Sequence, residues 1–224
     1  STFKGAVVGK FDDGNNLDDI VMAKGLYGST LQFWAFYSNT SNANTFNDPV
    51  LLGCSSGCGL TVNNVRELVS GDFNSDGKTD IAGIYFVSST QSKIIVWINN
   101  GAGGVSASTN GWWTGSASTN NMAGRVVSGD FNKDGKIDIA TVFNEGYPTE
   151  CGGQPRTKIL VWLNTGSSFS DPVSWWSTGC SGYDANKLMG VVAGDFNGDG
   201  YSDIAGFYNY INHLTLHVWI SDVE

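Results

Sequence analysis

Three short segments hold the residues best suited to chemistry. They are Gly71-Asp-Phe-Asn-Ser-Asp-Gly-Lys-Thr-Asp80-Ile-Ala, Gly129-Asp-Phe-Asn-Lys-Asp-Gly-Lys-Ile-Asp138-Ile-Ala and Gly194-Asp-Phe-Asn-Gly-Asp-Gly-Tyr-Ser-Asp203-Ile-Ala. Counting from the first aspartate, oxygen-bearing side chains stand at positions 1, 3, 5 and 9, with Gly at position 6. The sets are Asp72, Asn74, Asp76 and Asp80; Asp130, Asn132, Asp134 and Asp138; and Asp195, Asn197, Asp199 and Asp203. Alternate residues of an extended turn point their oxygens inward, and the glycine permits a sharp reversal. Position 7 can add its backbone carbonyl, from Lys78, Lys136 and Tyr201. An all-oxygen set with several carboxylates suits a hard cation, and Ca²⁺ better than Mg²⁺, which holds on to its water. The aspartates could instead simply cap tight turns, but three intact copies favour the cation. An EF-hand opens the same way, yet needs a Glu at position 12 and flanking helices. Here Gly83, Thr141 and Gly206 stand there, between strand-like runs.

A fourth, degenerate copy runs from Gly9 to Ile20, with Lys10 in place of the leading aspartate and one residue inserted. Its Asp12, Asn15 and Asp19 make an empty or weak site. Of the 21 acidic residues, 13 fall in these four segments, a clustering that diffuse surface charge does not produce. Three bound ions would bring the formal net charge of -9 to about -3. Their expected role is to clamp the corner between the first and second strands of each repeat.

The elements that position these loops follow from the repetition. The last aspartates are 61, 58 and 65 residues apart, and each repeat carries a further match at Phe33-Trp34, Val96-Trp97, Val161-Trp162 or Val218-Trp219. Short β-branched and aromatic runs bounded by Gly, Asn and Ser read as strands, and no stretch shows a capped helical period. Four antiparallel strands repeated about every 60 residues predict an all-β propeller. The repeats run over 1–60, 61–120, 121–183 and 184–224 of a single domain. The fourth strand of the second repeat is expected around Gly111-Trp-Trp-Thr, after a Gly/Ser/Thr-rich turn. The last repeat lacks its outer strand, so fifteen strands are expected. A second copy of the chain that covers this edge or completes the ring is the partner this implies.

Composition narrows the partners. The chain has 224 residues, 41% hydrophobic and 15% charged, enough for a real core. Its negative charge disfavours nucleic acid, and no apolar run approaches the ~18 residues that cross a bilayer. The cysteines are expected as two disulfides, Cys54–Cys58 and Cys151–Cys180, with four free thiols as the alternative; zinc spacing is lacking. With a start at Ser1 that lacks Met, this points to a processed, secreted protein.

The Gly-Asp-Phe-Asn-x-Asp-Gly-x-x-Asp-Ile-Ala cores resemble the FG-GAP/VCBS repeat family of β-propellers, known from integrin α-subunit heads and from secreted fungal and bacterial proteins. Trp-rich outer strands beside such loops are similar to the propeller lectins of this class, which implies sugar pockets between adjacent blades. Trp112, Trp113, Trp175 and Trp176 are the candidate sugar-stacking residues, one indole of each pair packing and the other exposed. Asn99, Asn110, Asn120 and Asn121 are candidates for the polar surround. Arg66, Arg125 and His213 are candidate contacts to a ligand, while Trp34, Trp97, Trp162 and Trp219 read as packing between blades. There is no G-x-S-x-G, H-E-x-x-H or phosphate-cradling loop. The expectation is therefore a non-enzymatic, calcium-stabilised lectin that binds glycans or glycoproteins. A protein–protein adhesion propeller, or a noncatalytic accessory to a polysaccharide-degrading enzyme, is the alternative.

Overall fold

The computed structural model describes residues 2–221 apart from 27–29, 42–44, 57–58, 108–109, 117–120 and 123–124. Four sheets follow one another along the chain, each a blade of the β-propeller class. The first contains β1 (Thr2–Gly9), β2 (Asp19–Leu26), β3 (Thr30–Phe36) and β4 (Val50–Leu51). The second contains β5 (Gly53–Ser56), β6 (Val65–Gly71), β7 (Asp80–Ser88), β8 (Gln91–Asn99), β9 (Gly104–Ala107) and β10 (Trp113–Gly115). The third is β11 (Val126–Gly129), β12 (Asp138–Gly146), β13 (Arg156–Trp162) and β14 (Val173–Ser177). The last is β15 (Leu188–Gly194), β16 (Asp203–Asn209) and β17 (Leu214–Trp219), three strands among the described residues.

The chain divides into two compact units. Residues 1–116 with 166–168 hold the first two sheets, and residues 117–165 with 169–224 hold the other two. In the first unit Leu31, Phe33 and Ala35 alternate with less buried neighbours along β3, and their apolar face packs on Ile81, Ile95 and Trp97 of the second sheet. Phe33 meets Trp97 edge-on at 5.1 Å. In the second unit Val142, Ile159 and Val161 pack in the same way on Ile204, Leu188 and Tyr208. Within each unit, then, one face of the first sheet is the floor for the second.

Strand pairing corrects two expectations. The described residues form seventeen strands rather than fifteen. In the second sheet the fourth strand is split: β9, inside the stretch read as a turn, pairs with Trp97–Asn99, and β10 pairs with Ser92–Ile94 further along β8. Between β9 and β10 the chain leaves the ladder and rejoins it past Gly111, whose φ of 77° is the left-handed turn a glycine allows. The added strand β5 runs parallel to β9. The second correction concerns the recurring tryptophan. Ile81, Ile139 and Ile204 pair with Trp97, Trp162 and Trp219, but their counterpart Ile20 pairs with Phe36. Trp34 sits one place earlier on the same face, opposite Met22, with Lys24 Nζ 4.2 Å above its ring. It does not occupy the inter-blade position.

The Cys151–Cys180 disulfide is present, joining positions 5.0 Å apart at Cα. Cys54 is disulfide-bonded, and its expected partner Cys58 lies outside the described residues. Among the described residues no helix is long and apolar enough to cross a membrane.

Candidate functional site

Each acidic loop folds around its own carboxylates. In the second repeat Asp72 accepts from the amides of Asp76 (3.0 Å) and Gly77 (2.8 Å), Asn74 Oδ1 accepts from Asp76 N–H, and Asp76 accepts from Lys78 N–H. The third and fourth loops repeat the pattern through Asp130, Asn132 and Asp134, and through Asp195, Asn197 and Asp199. Gly77, Gly135 and Gly200 at position 6 all have φ between 82° and 90°, the left-handed turn that the sequence pattern requires.

The ninth position does something else. Asp80, Asp138 and Asp203 are fully buried, and so is Asp19 of the degenerate copy. In every repeat one carboxylate oxygen accepts from the amide of the loop phenylalanine, Phe11, Phe73, Phe131 or Phe196, at 2.9–3.1 Å. The other accepts from the amide of Ser38, Asn99, Asn164 or Ser221, at or just beyond the end of the third strand, at 2.7–2.8 Å. This aspartate is a strut between loop and strand end. Burial pushes Asp80 and Asp138 up to about 6, against the pull of those amides, and the carboxylates at positions 1 and 5 add to the rise.

The donor set is compatible with a hard cation. A carboxylate oxygen that accepts one amide still has a lone pair free, and every side-chain donor is oxygen. As placed, the described acidic side chains form no cluster of three around one point, so an ion would have to draw them together. In the third loop Lys136 Nζ lies 2.9 Å from Asp134, and in the second Lys78 Nζ lies 3.7 Å from Asp76. In the fourth, Tyr201 replaces the lysine, and Lys133 Nζ bonds the Asp199 carbonyl while lying over the Tyr201 ring.

The tryptophans diverge. Trp113 is buried and pairs with Ile94, while Trp112 is half-exposed, the alternation expected of adjacent strand residues. Trp175 and Trp176 break that rule. Ile159 pairs with Trp176 and the next residue, Leu160, with Ser174, which leaves Trp175 as the extra residue of a β-bulge. A bulge re-aims a side chain, and both indoles line one groove of about 690 Å³ between the third and fourth sheets of their unit. Trp219 forms part of the wall, 5.5 Å from Trp176. Ile159, Ile204 and Leu163 also line it, with Asn132 of the third acidic loop and Ser221 as polar groups. Trp219 also packs against the core of its unit, as its reading as a packing residue expects. It is half-exposed because the described part of its sheet has no fourth strand beyond β17.

The remaining candidates are scattered. Arg125 is buried and belongs to the frame: its guanidinium donates to the carbonyls of Val142 (3.0 Å), Ala185 (3.3 Å) and Asn121 (3.2 Å). Asn99 is likewise buried, its amide donating to the carbonyls of Phe11 and Thr79. Arg66 is exposed over the Phe86 ring, and exposed His213 stacks on Tyr210 at 4.9 Å. Asn110 is exposed, Asn121 is half-buried, and Asn120 lies outside the described residues.

The model of the FG-GAP-like repeat family matches residues 72–141, the stretch from the second acidic loop through the third. No curated protein matches the sequence. Similar solved structures include an exotype rhamnogalacturonan lyase, YesX (16% identity, TM-score 0.46, covering 91% of this chain and 38% of that one). Another is rhamnogalacturonan lyase PL11 of Bacillus licheniformis (14% identity, TM-score 0.48, covering 91% and 39%). The chain spans less than two fifths of the length of either enzyme.

Proposed function

We propose that this chain, an FG-GAP-repeat β-propeller, binds carbohydrate without altering it, in the groove walled by Trp175, Trp176 and Trp219. The groove carries this reading. Its volume suits a small saccharide, its indole faces match the C–H faces of a pyranose, and Asn132 and Ser221 stand at its edge to meet hydroxyls. A neutral sugar meets no electrostatic penalty from a protein of net charge -9.

Calcium belongs to the same proposal. Asp72, Asn74, Asp76 and Asp80, with the Lys78 carbonyl, would hold one ion, and the third and fourth loops one each. When bound, the ion supplies positive charge that offsets the repulsion between loop carboxylates and stiffens the loop. Asn132 belongs to both the third loop and the groove wall, so ion and sugar are expected to bind cooperatively. Action outside the cell, where a disulfide such as Cys151–Cys180 persists, completes the reading.

A glycan array with and without EDTA tests it. Binding should be seen, should weaken with chelator, and should fall at least about tenfold in Trp176→Ala, a loss of roughly 1.4 kcal/mol. Binding that ignores all three tryptophans would overturn the site. No binding to any sugar would put the adhesion reading ahead, and turnover of a bound sugar would overturn both.

A further inference from the structure

Behind the groove of the second unit stands a ring that does not line it. Tyr183, in the connection from β14 to β15, meets both facing indoles edge-on: Trp176 at 6.0 Å and 89°, and Trp219 at 6.3 Å and 87°. The two indoles are themselves 5.5 Å apart, at 63°. Aromatic rings favour such edge-to-face contacts, and a ring perpendicular to both blocks either indole from rotating towards it. Trp175 has a separate support, the ring of Phe131 at 6.2 Å and 87°. All of these side chains belong to one compact unit.

Tyr183 is itself held firmly. Cys180, three residues ahead, is tied to Cys151, and Gly182, with a φ of 83°, turns the chain into the tyrosine. Three successive backbone groups are then fastened. The Tyr183 carbonyl accepts from the Thr157 hydroxyl (2.8 Å), Asp184 N–H donates to the Tyr208 hydroxyl (3.2 Å), and Ala185 N–H donates to the Thr157 hydroxyl (3.0 Å). Thr157 is fully buried, at the start of β13. The Tyr183 ring also lies 4.3 Å from that of Tyr208 and 5.3 Å from that of His217. Its own hydroxyl is buried and has no hydrogen-bond partner among the described residues, so the ring makes the contacts.

The first unit supplies the comparison. There the short 3₁₀ turn Val62–Asn64 leads into β6 as Ala185–Lys187 leads into β15. Two residues before the turn stands Leu60 in place of Tyr183, and Leu51-Leu52 stand where Trp175-Trp176 do. The tyrosine goes with the tryptophans. We infer that Tyr183 is a positioning residue, whose ring braces Trp176 and Trp219 as a fixed pair of faces for a sugar. The inference rests on the carbohydrate reading for what the pair binds, while the brace is measurable without any sugar.

Circular dichroism of the purified chain tests it. Two indoles this close, neither parallel nor perpendicular, couple their transitions into a paired positive and negative band. The part of that band lost in Trp176→Phe is the signal of this pair. It should be lost in Tyr183→Leu, which copies the first unit, weakened in Thr157→Val, which frees the backbone of Tyr183, and kept in Tyr183→Phe. A residue that only stabilised the unit would lower the melting point of Tyr183→Leu and leave the signal of the folded protein unchanged. Affinity for methyl glucoside, methyl galactoside or methyl mannoside, read by indole fluorescence, should fall about fivefold in Tyr183→Leu and return in Tyr183→Phe. An unchanged signal in both Tyr183→Leu and Thr157→Val, its loss in Tyr183→Phe, or a Trp176→Phe that loses no signal would each overturn the inference. If the wild type binds no sugar at all, the carbohydrate reading falls and the signal still decides the brace.

Discussion

Asp19 separates the two roles written into these loops. Its copy lacks the cation pattern, with Lys10 where the others have aspartate, yet it makes the full strut: Phe11 N–H at 3.0 Å and Ser38 N–H at 2.8 Å. Asp19→Ala would leave both amides unpaired. A buried donor without a partner costs about 1–3 kcal/mol. The Phe11 amide is buried and takes the upper part of that range, while the Ser38 amide is partly wet and takes the lower, so the expected loss is ~3 kcal/mol. In urea, with a slope of about 2 kcal/mol/M, the midpoint should fall by roughly 1.5 M. The titration is run in EDTA, so that no bound ion contributes. Asp19→Asn keeps one acceptor and should lose about half as much. Asp76→Ala is the control: its carboxylate is exposed and bonds only within the loop, so in EDTA it should cost under ~0.5 kcal/mol. With calcium added, Asp76→Ala should forfeit the stabilisation the ion gives the wild type. If Asp19→Ala costs less than ~0.5 kcal/mol in EDTA, the strut is not what the ninth aspartate is for.

Two further outcomes concern the second unit. Glu145 on β12 receives Arg156 and Lys158 from β13, and the Arg156 bond above all holds its carboxyl below the usual glutamate range. A depressed value contributes stability that is present above the unfolded value near 4.5 and is lost as pH falls through the folded one. Glu145→Gln should therefore cost ~1 kcal/mol at neutral pH and progressively less as pH falls below 4.5, read as a gap between melting curves that closes on acidification. Reducing Cys151–Cys180 reopens a loop spanning 29 residues and should destabilise this unit by ~3 kcal/mol, measured as a lower melting temperature with reductant.

The acidic loops were legible because they are local. Side-chain type, spacing and the glycine at position 6 fix the turn within ten residues, and the structure finds the left-handed glycines where the pattern puts them. The repeat period likewise told how many blades to expect. Strand register was harder. Trp34 and Phe36 lie two apart and so share a face; residue type favoured the tryptophan as the match to Trp97, while the ladder aligned Phe36. The groove was half legible. Trp175-Trp176 marked it, but alternation predicted opposite faces, and the bulge that turns both indoles into one space leaves no mark in the sequence. Arg125 read as a ligand contact because two of the three carbonyls that receive it, those of Val142 and Ala185, come from 17 and 60 residues away.

Sequence alone determined the repeats and the loops with their oxygen donors, since each depends on contacts within one hairpin. Tertiary structure decided which carboxylate is a strut and which tryptophans share a groove. Those depend on burial, and burial is set by what a neighbouring sheet brings near. The same Gly-Asp-Phe-Asn string hides its phenylalanine under a following sheet in one repeat and leaves it in water in another.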